Sequence, residues 1–254
     1  MSYSFYTQFA IFFIFTFIGL LEYYKLIDKQ KVKSQKVFGV IFGMLTYSLL
    51  SLFFYDFIEL KYVFFAIAFL YIIFLQELFK KSKRPFNNIA HTLLGIFYVA
   101  VPFSLLSYLA AFQSQSINHL EYQPHILLGF IFCVWLSDTG AYVTGSQFGK
   151  TKLFPSVSPN KTWEGTIGGA VVCIGFAIGF HYFTDTLEVI DWIVIATLVV
   201  IFGNFGDLIE SYLKRSVEVK DSGSILPGHG GVLDRFDAVI FAAPFVFFYL
   251  NIIS

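Results

Sequence analysis

Eight apolar runs, each close to the roughly 20 residues that a helix needs to cross a bilayer, restrict this chain to one fold class. They lie at 5–21, 37–55, 62–79, 89–110, 125–144, 166–183, 189–205 and 236–253. The predicted fold is all-α, a polytopic transmembrane bundle of about eight helices. Pro102 falls inside the fourth run and is expected to kink or split it, which leaves nine or ten spans as alternatives. Composition agrees with a membrane class: 13% of residues are charged, against roughly 25% in soluble domains. No positive charge precedes the first run and no small-residue cleavage site follows it. It therefore reads as a retained helix and not a removable signal peptide. Cys133 and Cys173 both lie in apolar runs and read as small buried hydrophobes, not as a disulfide or a metal pair.

Charge placement predicts an orientation. All but one of the 17 Lys and Arg residues fall in the first, third, fifth and seventh loops. The exception, Lys61, lies on the side where Asp56, Glu59, Glu121, Asp185, Glu188 and Asp191 collect. Cytoplasmic loops carry the excess of basic residues, so the odd loops are expected in the cytoplasm and both termini outside. Residues 1–124 show no chemistry and read as N-terminal scaffold helices. Glu22 and Glu77, at helix ends, read as interfacial anchors, and His91 as a satisfied polar residue. Residues 125–254 form the expected catalytic region. No nucleic-acid motif, internal repeat or separate soluble domain is present.

Within that region the stretch 206–237 is anomalous. It holds six carboxylates, four cationic residues, one histidine and five glycines in an otherwise apolar chain. Charge crowded between lipid-like segments is costly unless something binds there. On a helix, Asp207, Glu210, Ser211 and Lys214 share one face, and Asp234 and Asp237 lie three apart at the start of the last run. Two acidic helix ends joined by a glycine-rich turn suit a hard divalent cation with oxygen ligands and retained waters. Lys214, Arg215, Lys220 and Arg235 suit phosphate oxygens. Together they suit phosphoryl-type transfer, in which positioning and charge neutralisation do most of the catalysis. A surface salt-bridge network is the plainer alternative.

Two further stretches join it. Around Asp138, the residues Ser137, Gly140, Ala141, Thr144 and Gly145 form a small face that permits close helix approach. Asp138 itself, an acid inside a span, is expected to line a polar cavity. The loop 148–165 presents Lys150, Lys152 and Lys161 among hydroxyls and turn residues. Ser158 or Asn160 is expected to cap a helix starting near Thr162, leaving backbone N–H groups and Lys161 to face an anion. Gly149-Lys150-Thr151 lacks the upstream glycine and strand of a P-loop, and that reading is rejected.

The run Ser211-x-Leu213-Lys214-Arg215, then Lys220-Asp221-x-Gly223, then Leu226-Pro227-x-His229-Gly230-Gly231-Val232-x-Asp234-Arg235-Phe236-Asp237 resembles the signature of the phosphatidate cytidylyltransferase (CDP-diacylglycerol synthase) family. Ser137-Asp138-Thr139 and the run 158–165 resemble further motifs of that family. The resemblance implies a multi-pass enzyme of the cell (inner) membrane, its active site at the cytoplasmic face, joining CTP and phosphatidic acid into CDP-diacylglycerol and pyrophosphate. It implies Mg²⁺, accompanied by K⁺, with Asp207 and Asp234 as metal ligands and Asp138 and Asp221 as further candidates. It also implies a homodimer. Lys161, Lys214 and Arg215 would then neutralise phosphates and His229 would position one. Ser158, Asn160, Thr162, Lys220 and Arg235 complete the expected substrate contacts. Rival readings are cytidylylation of another lipid phosphate, a CTP-dependent lipid kinase, and a cation-coupled transporter using Asp138 and Asp207.

Overall fold

The structure, a computed structural model, describes residues 5–112, 124–184, 186–223 and 230–253. Among the described residues, eight helical segments are long and apolar enough to cross a membrane, matching the number of apolar runs. They comprise α1 (Phe5–Lys29), α2 (Lys36–Phe54), α3 (Leu60–Lys80), the pair α4 (Pro85–Gly95) and α5 (Val101–Ala111), α6 (His125–Phe148), α7 (Trp163–Thr184), α8 (Val189–Ser216) and α9 (Leu233–Ile253). This is a multi-pass membrane protein, because in lipid only internally hydrogen-bonded helices or closed barrels satisfy the backbone.

Pro102 does not split the fourth span. A wide π-helical turn, Ile96–Ala100, joins α4 to α5, with the Val101 N–H donating to Ile96 O, five residues back. Widening the turn just before a residue that cannot donate is a common way for a helix to absorb proline.

Contacts divide the chain into two units. The first combines Met1–Tyr108 with Ser216–Arg235, and the second combines Leu109–Arg215 with Phe236–Ser254. In the first unit, polar side chains tie helices whose surfaces are otherwise apolar. Tyr24 donates to Thr92 O at 2.7 Å, and Gln8 Nε2 to Leu106 O at 3.1 Å. Glu77 is 1% exposed and accepts from Asn88 Nδ2 at 2.6 Å and Gln35 Nε2 at 2.8 Å. Glu22 is 3% exposed. The expectation that these two glutamates anchor at an interface is therefore corrected. A buried carboxylate persists where it is hydrogen-bonded, and both are. His91 is satisfied as expected, its Nδ1 2.8 Å from Asn87 O.

In the second unit, α6 and α7 approach closely over the small residues. A Cβ at Gly165 would meet Ala141 O at 2.8 Å, and one at Gly169 would meet Ser137 O at 2.5 Å. Thr144 Oγ1 lies 2.7 Å from Gly140 O and 3.3 Å from Gly165 O, across the same seam. α8 and α9 are equally close where Gly206 faces the Asp237 carbonyl and Phe241. Cys133 and Cys173 are free and buried, as expected.

The connection between α6 and α7 departs from the expected loop. It is an antiparallel hairpin, β1 (Lys152–Phe154) with β2 (Ser158–Thr162), in register Lys152↔Thr162 and Phe154↔Ser158. Ser158 and Asn160 therefore lie in a strand and do not cap α7. Thr162 takes that role, its Oγ1 accepting from the Gly165 N–H at 3.2 Å. Glu164 reaches back from the first turn of α7 to accept from the Lys150 N–H (3.1 Å) and Thr151 Oγ1 (2.8 Å), closing the hairpin base.

Candidate active site

The small faces of α6 and α7 bring their backbones together, and a cavity of about 480 Å³ opens beside the seam. Its lining includes Asp138 from α6, Asn160, Lys161 and Thr162 from β2, and Asn204 and Asp207 from α8. The hairpin turns Lys161 inward. Its Nζ lies 2.7 Å from Asp207 Oδ2 and 3.2 Å from Asn204 Oδ1. Ser211, one turn along α8, donates to Asp207 Oδ1 at 3.2 Å. Asp138, Asp207 and Lys161 are also the charged neighbours of Asp237 on α9. One ammonium is thus paired with Asp207 and has Asp138 and Asp237 as further acidic neighbours within the second unit. That excess of negative charge, at the membrane-spanning part of a chain, is the mark of a cation or substrate site.

Four of the expected residues, Asp138, Asn160, Lys161 and Thr162, share this cavity with Asp207. Ser158 begins β2 opposite Phe154. Lys214 pairs with Glu210 one turn away on α8, so part of the charge expected for phosphate is committed within the helix. Arg215 is exposed in the last turn of α8. Lys220, Asp221 and Arg235 are exposed in the first unit. Asp234, also in that unit, braces its own loop: Oδ2 accepts from the Ser222 N–H (2.9 Å), Ser222 Oγ (2.9 Å) and the Gly231 N–H (2.7 Å). His229 lies outside the described residues.

Sequence reading missed Asn204 and the role of Glu22. Asn204 sits three residues before Asp207, a spacing that puts both on one helix face, so its signal was available. Asp237, paired with Asp234 in the sequence as an acidic helix end, has Asp138, Asp207 and Lys161 as charged neighbours. Glu22 lies about 200 residues from its partners and left no local signal.

The donor set also tests the implied metal. Asp138 and Asp207 with the amide oxygens of Asn160 and Asn204 are hard oxygen donors in one cavity. Among the described residues, no three acidic, histidine or cysteine groups could hold a metal ion by themselves. These residues fit Mg²⁺, which keeps several waters and is bound through one or two carboxylates plus substrate phosphates. They do not form an all-protein cage.

A family model described as the cytidylyltransferase family matches residues 1–253. The chain belongs to that family. Proteins named phosphatidate cytidylyltransferase resemble it. The one from Bacillus subtilis is 32% identical over 244 residues, covering 93% of this chain and 87% of the relative. That from Staphylococcus haemolyticus is 40% identical over 179 residues, 70% of this chain. That from Staphylococcus aureus strain COL is 40% identical over 180 residues. The match spans 65% of the length of each staphylococcal relative. The family's description points to cytidylyl transfer, a reaction class to which Asp138, Asp207 and Lys161 in one polar cavity are suited.

Proposed function

We propose that the protein transfers the cytidylyl group of CTP to phosphatidic acid, forming CDP-diacylglycerol and pyrophosphate for phospholipid biosynthesis. The observation that carries this reading is Lys161 held against Asp207 in a polar cavity of a membrane-spanning region, in a chain of the cytidylyltransferase family. The relatives' shared name supplies the acceptor, phosphatidate.

A lipid phosphate oxygen attacks the α-phosphorus of CTP in line. One P–O bond forms, the bond to the β-phosphate bridge breaks, and pyrophosphate leaves with the electron pair. The attacking oxygen is already anionic near pH 7, so no strong base is required. The barrier is the approach of two anions, and preorganised positive charge lowers it. Lys161 provides that charge at the cavity, while Asn204 and Asp207 hold its ammonium in place. Asn160 and Thr162 offer polar groups to the nucleotide phosphates from β2. Arg215, exposed at the end of α8, is a further cation for the phosphates. Mg²⁺ bound through Asp207 and Asp138 would offset charge on the leaving pyrophosphate.

The concentration of Lys and Arg in the odd loops supports a cytoplasmic face for the hairpin, where CTP is found, and a place in the cell membrane. The acyl chains then stay in the bilayer while the headgroup meets the cavity. Two labelled nucleotides test the reaction with purified protein, phosphatidate and Mg²⁺. Label from the α-phosphate should enter the lipid and label from the γ-phosphate should leave as pyrophosphate. Transfer of the γ label would make the protein a lipid kinase instead. Cation uptake by sealed vesicles without CTP would make it a transporter.

A further inference from the structure

We infer that Glu22 is a positioning residue for the signature loop, acting through Asp234 and the first turn of α9. The inference rests on the reaction proposed above for its consequence, and on contacts within the first unit for its geometry.

Glu22 lies on α1 and is almost completely buried. Oε1 accepts from the Val232 N–H at 3.0 Å, and Oε2 from the Leu233 N–H at 3.0 Å. Those are among the backbone donors that a helix start leaves without an intrahelical partner. Val232 and Leu233 are themselves buried, so water is a poor substitute. Glu22 thus caps α9 from another helix, and the positive end of the α9 dipole favours its negative charge. Ser222 Oγ lies 2.9 Å from Asp234 Oδ2 and 3.3 Å from Glu22 Oε2. Its single proton can be shared between the two carboxylates, so Ser222 links Asp234 to Glu22.

The glycines of the signature follow from this clasp. A Cβ at Gly231 would meet Ser222 Oγ and both Glu22 carboxylate oxygens, and one at Gly223 would meet Glu22 Oε1. At Gly230 the backbone is left-handed, φ +78°, and a Cβ would lie 2.7 Å from Asp234 Oδ2. Each glycine leaves the space that one of the two carboxylates fills. Moving Glu22 would release the Val232 and Leu233 donors and loosen the Ser222–Asp234 brace together.

Glu22→Gln keeps the size, removes the charge and turns an accepting oxygen into a donor facing backbone N–H groups. The test uses full-length purified protein, with Glu22→Asp and Ser222→Ala alongside. The readouts are kcat, KM for CTP, folded fraction by thermal unfolding, and amide exchange at Gly231, Val232 and Leu233. Glu22→Gln should lower kcat per folded molecule by about 10- to 100-fold, the usual range for residues that orient a reacting group's neighbours, with KM for CTP within about threefold. Exchange should accelerate at the three amides, and Glu22→Asp should recover part of the loss. Ser222→Ala should lower kcat in the same sense, with exchange at Gly231 faster. An unchanged kcat per folded molecule would reduce Glu22 to a structural role and overturn the inference. Unchanged exchange at the three amides would overturn the clasp itself. If the wild-type protein transfers no cytidylyl group, the proposed reaction fails, and the exchange arm still decides whether Glu22 holds the loop.

Discussion

Lys161 and Asp207 form an ion pair of 2.7 Å inside a cavity, with Asn204 one turn before Asp207 completing the seat of the ammonium. The hairpin supplies the lysine and α8 supplies both partners, so neither the strand nor the helix alone could build the site. Asp138 and Asp237 add two more carboxylates to the same neighbourhood. Lys161 therefore offsets part of this acidic charge, and in the proposed reaction it would face phosphate once substrate is bound.

Lys161→Gln should leave the cavity shape and remove its cation. We expect kcat/KM for CTP to fall by about 10²–10³-fold, the range for losing one preorganised electrostatic contact to the transition state. Lys161→Arg, retaining the charge, should lose less. Pyrophosphate release from CTP in the presence of phosphatidate measures both. Lys161→Gln with wild-type turnover would remove Lys161 from the mechanism.

Asp207→Asn and Asp234→Asn should each abolish CDP-lipid formation. For Asp207 the lost charge unpairs Lys161 and removes a ligand suited to Mg²⁺. Asp234→Asn keeps one oxygen for the Ser222 and Gly231 donors, so its fold should survive. Thermal unfolding should place both variants within about 1–3 kcal/mol of wild type. Near-normal turnover by Asp207→Asn would withdraw Asp207 from the mechanism, and by Asp234→Asn would leave Asp234 as a brace of its loop alone.

The glycines of α7 separate packing from composition. Gly169→Ala places a Cβ 2.5 Å from Ser137 O, a backbone atom that cannot move without parting α6 and α7. It should destabilise by about 1–3 kcal/mol, the usual cost of overpacking. Gly175 and Gly179 lie on the same helix, and a methyl added at either would have nothing within 4 Å. Alanine there should be neutral or stabilising by up to about 1 kcal/mol, the difference in helix propensity. Unfolding in one detergent ranks the three, and an equal loss at Gly175 would mean that the seam is not what limits α7.

How much of this was legible in the sequence depends on range. Hydropathy located every span, because burial in lipid demands a long apolar run whatever its neighbours. It misjudged the ends: α8 continues to Ser216, past the apolar run ending at 205, since backbone hydrogen bonding does not stop where hydrophobicity does. The hairpin 152–162 reads as a loop in the sequence because two strands of three and five residues, with Pro155 in the turn and Pro159 inside the second, show no alternation to detect. Lys161, Asp138 and Asp207 were singled out as charges in costly places, and the structure brings them to one cavity. Glu22 looked like any acid at a helix end. Its partners, Ser222, Val232 and Leu233, are joined to it by tertiary structure alone.

Orientation is open to a direct chemical test. Both native cysteines are buried, so single cysteines introduced elsewhere should be labelled against little background. The exposed positions Lys152 and Lys81 belong to connections rich in Lys and Arg, whereas Lys61, exposed in the first turn of α3, follows the connection that carries Asp56 and Glu59. In the proposed orientation the basic loops face the cytoplasm, by the bias that sets the topology of other multi-pass proteins. In intact cells, or spheroplasts where an outer layer blocks access, a membrane-impermeant maleimide should label Lys61→Cys and spare Lys152→Cys and Lys81→Cys. Permeabilisation should expose the latter two. The reverse pattern would put the hairpin and its cavity outside, away from cytoplasmic CTP, and the proposed reaction would lose its nucleotide. Labelling of Lys152→Cys and Lys81→Cys on opposite sides would instead mean that the number of crossings between them is odd, against the two spans that separate them here, Pro85–Ala111 and His125–Phe148.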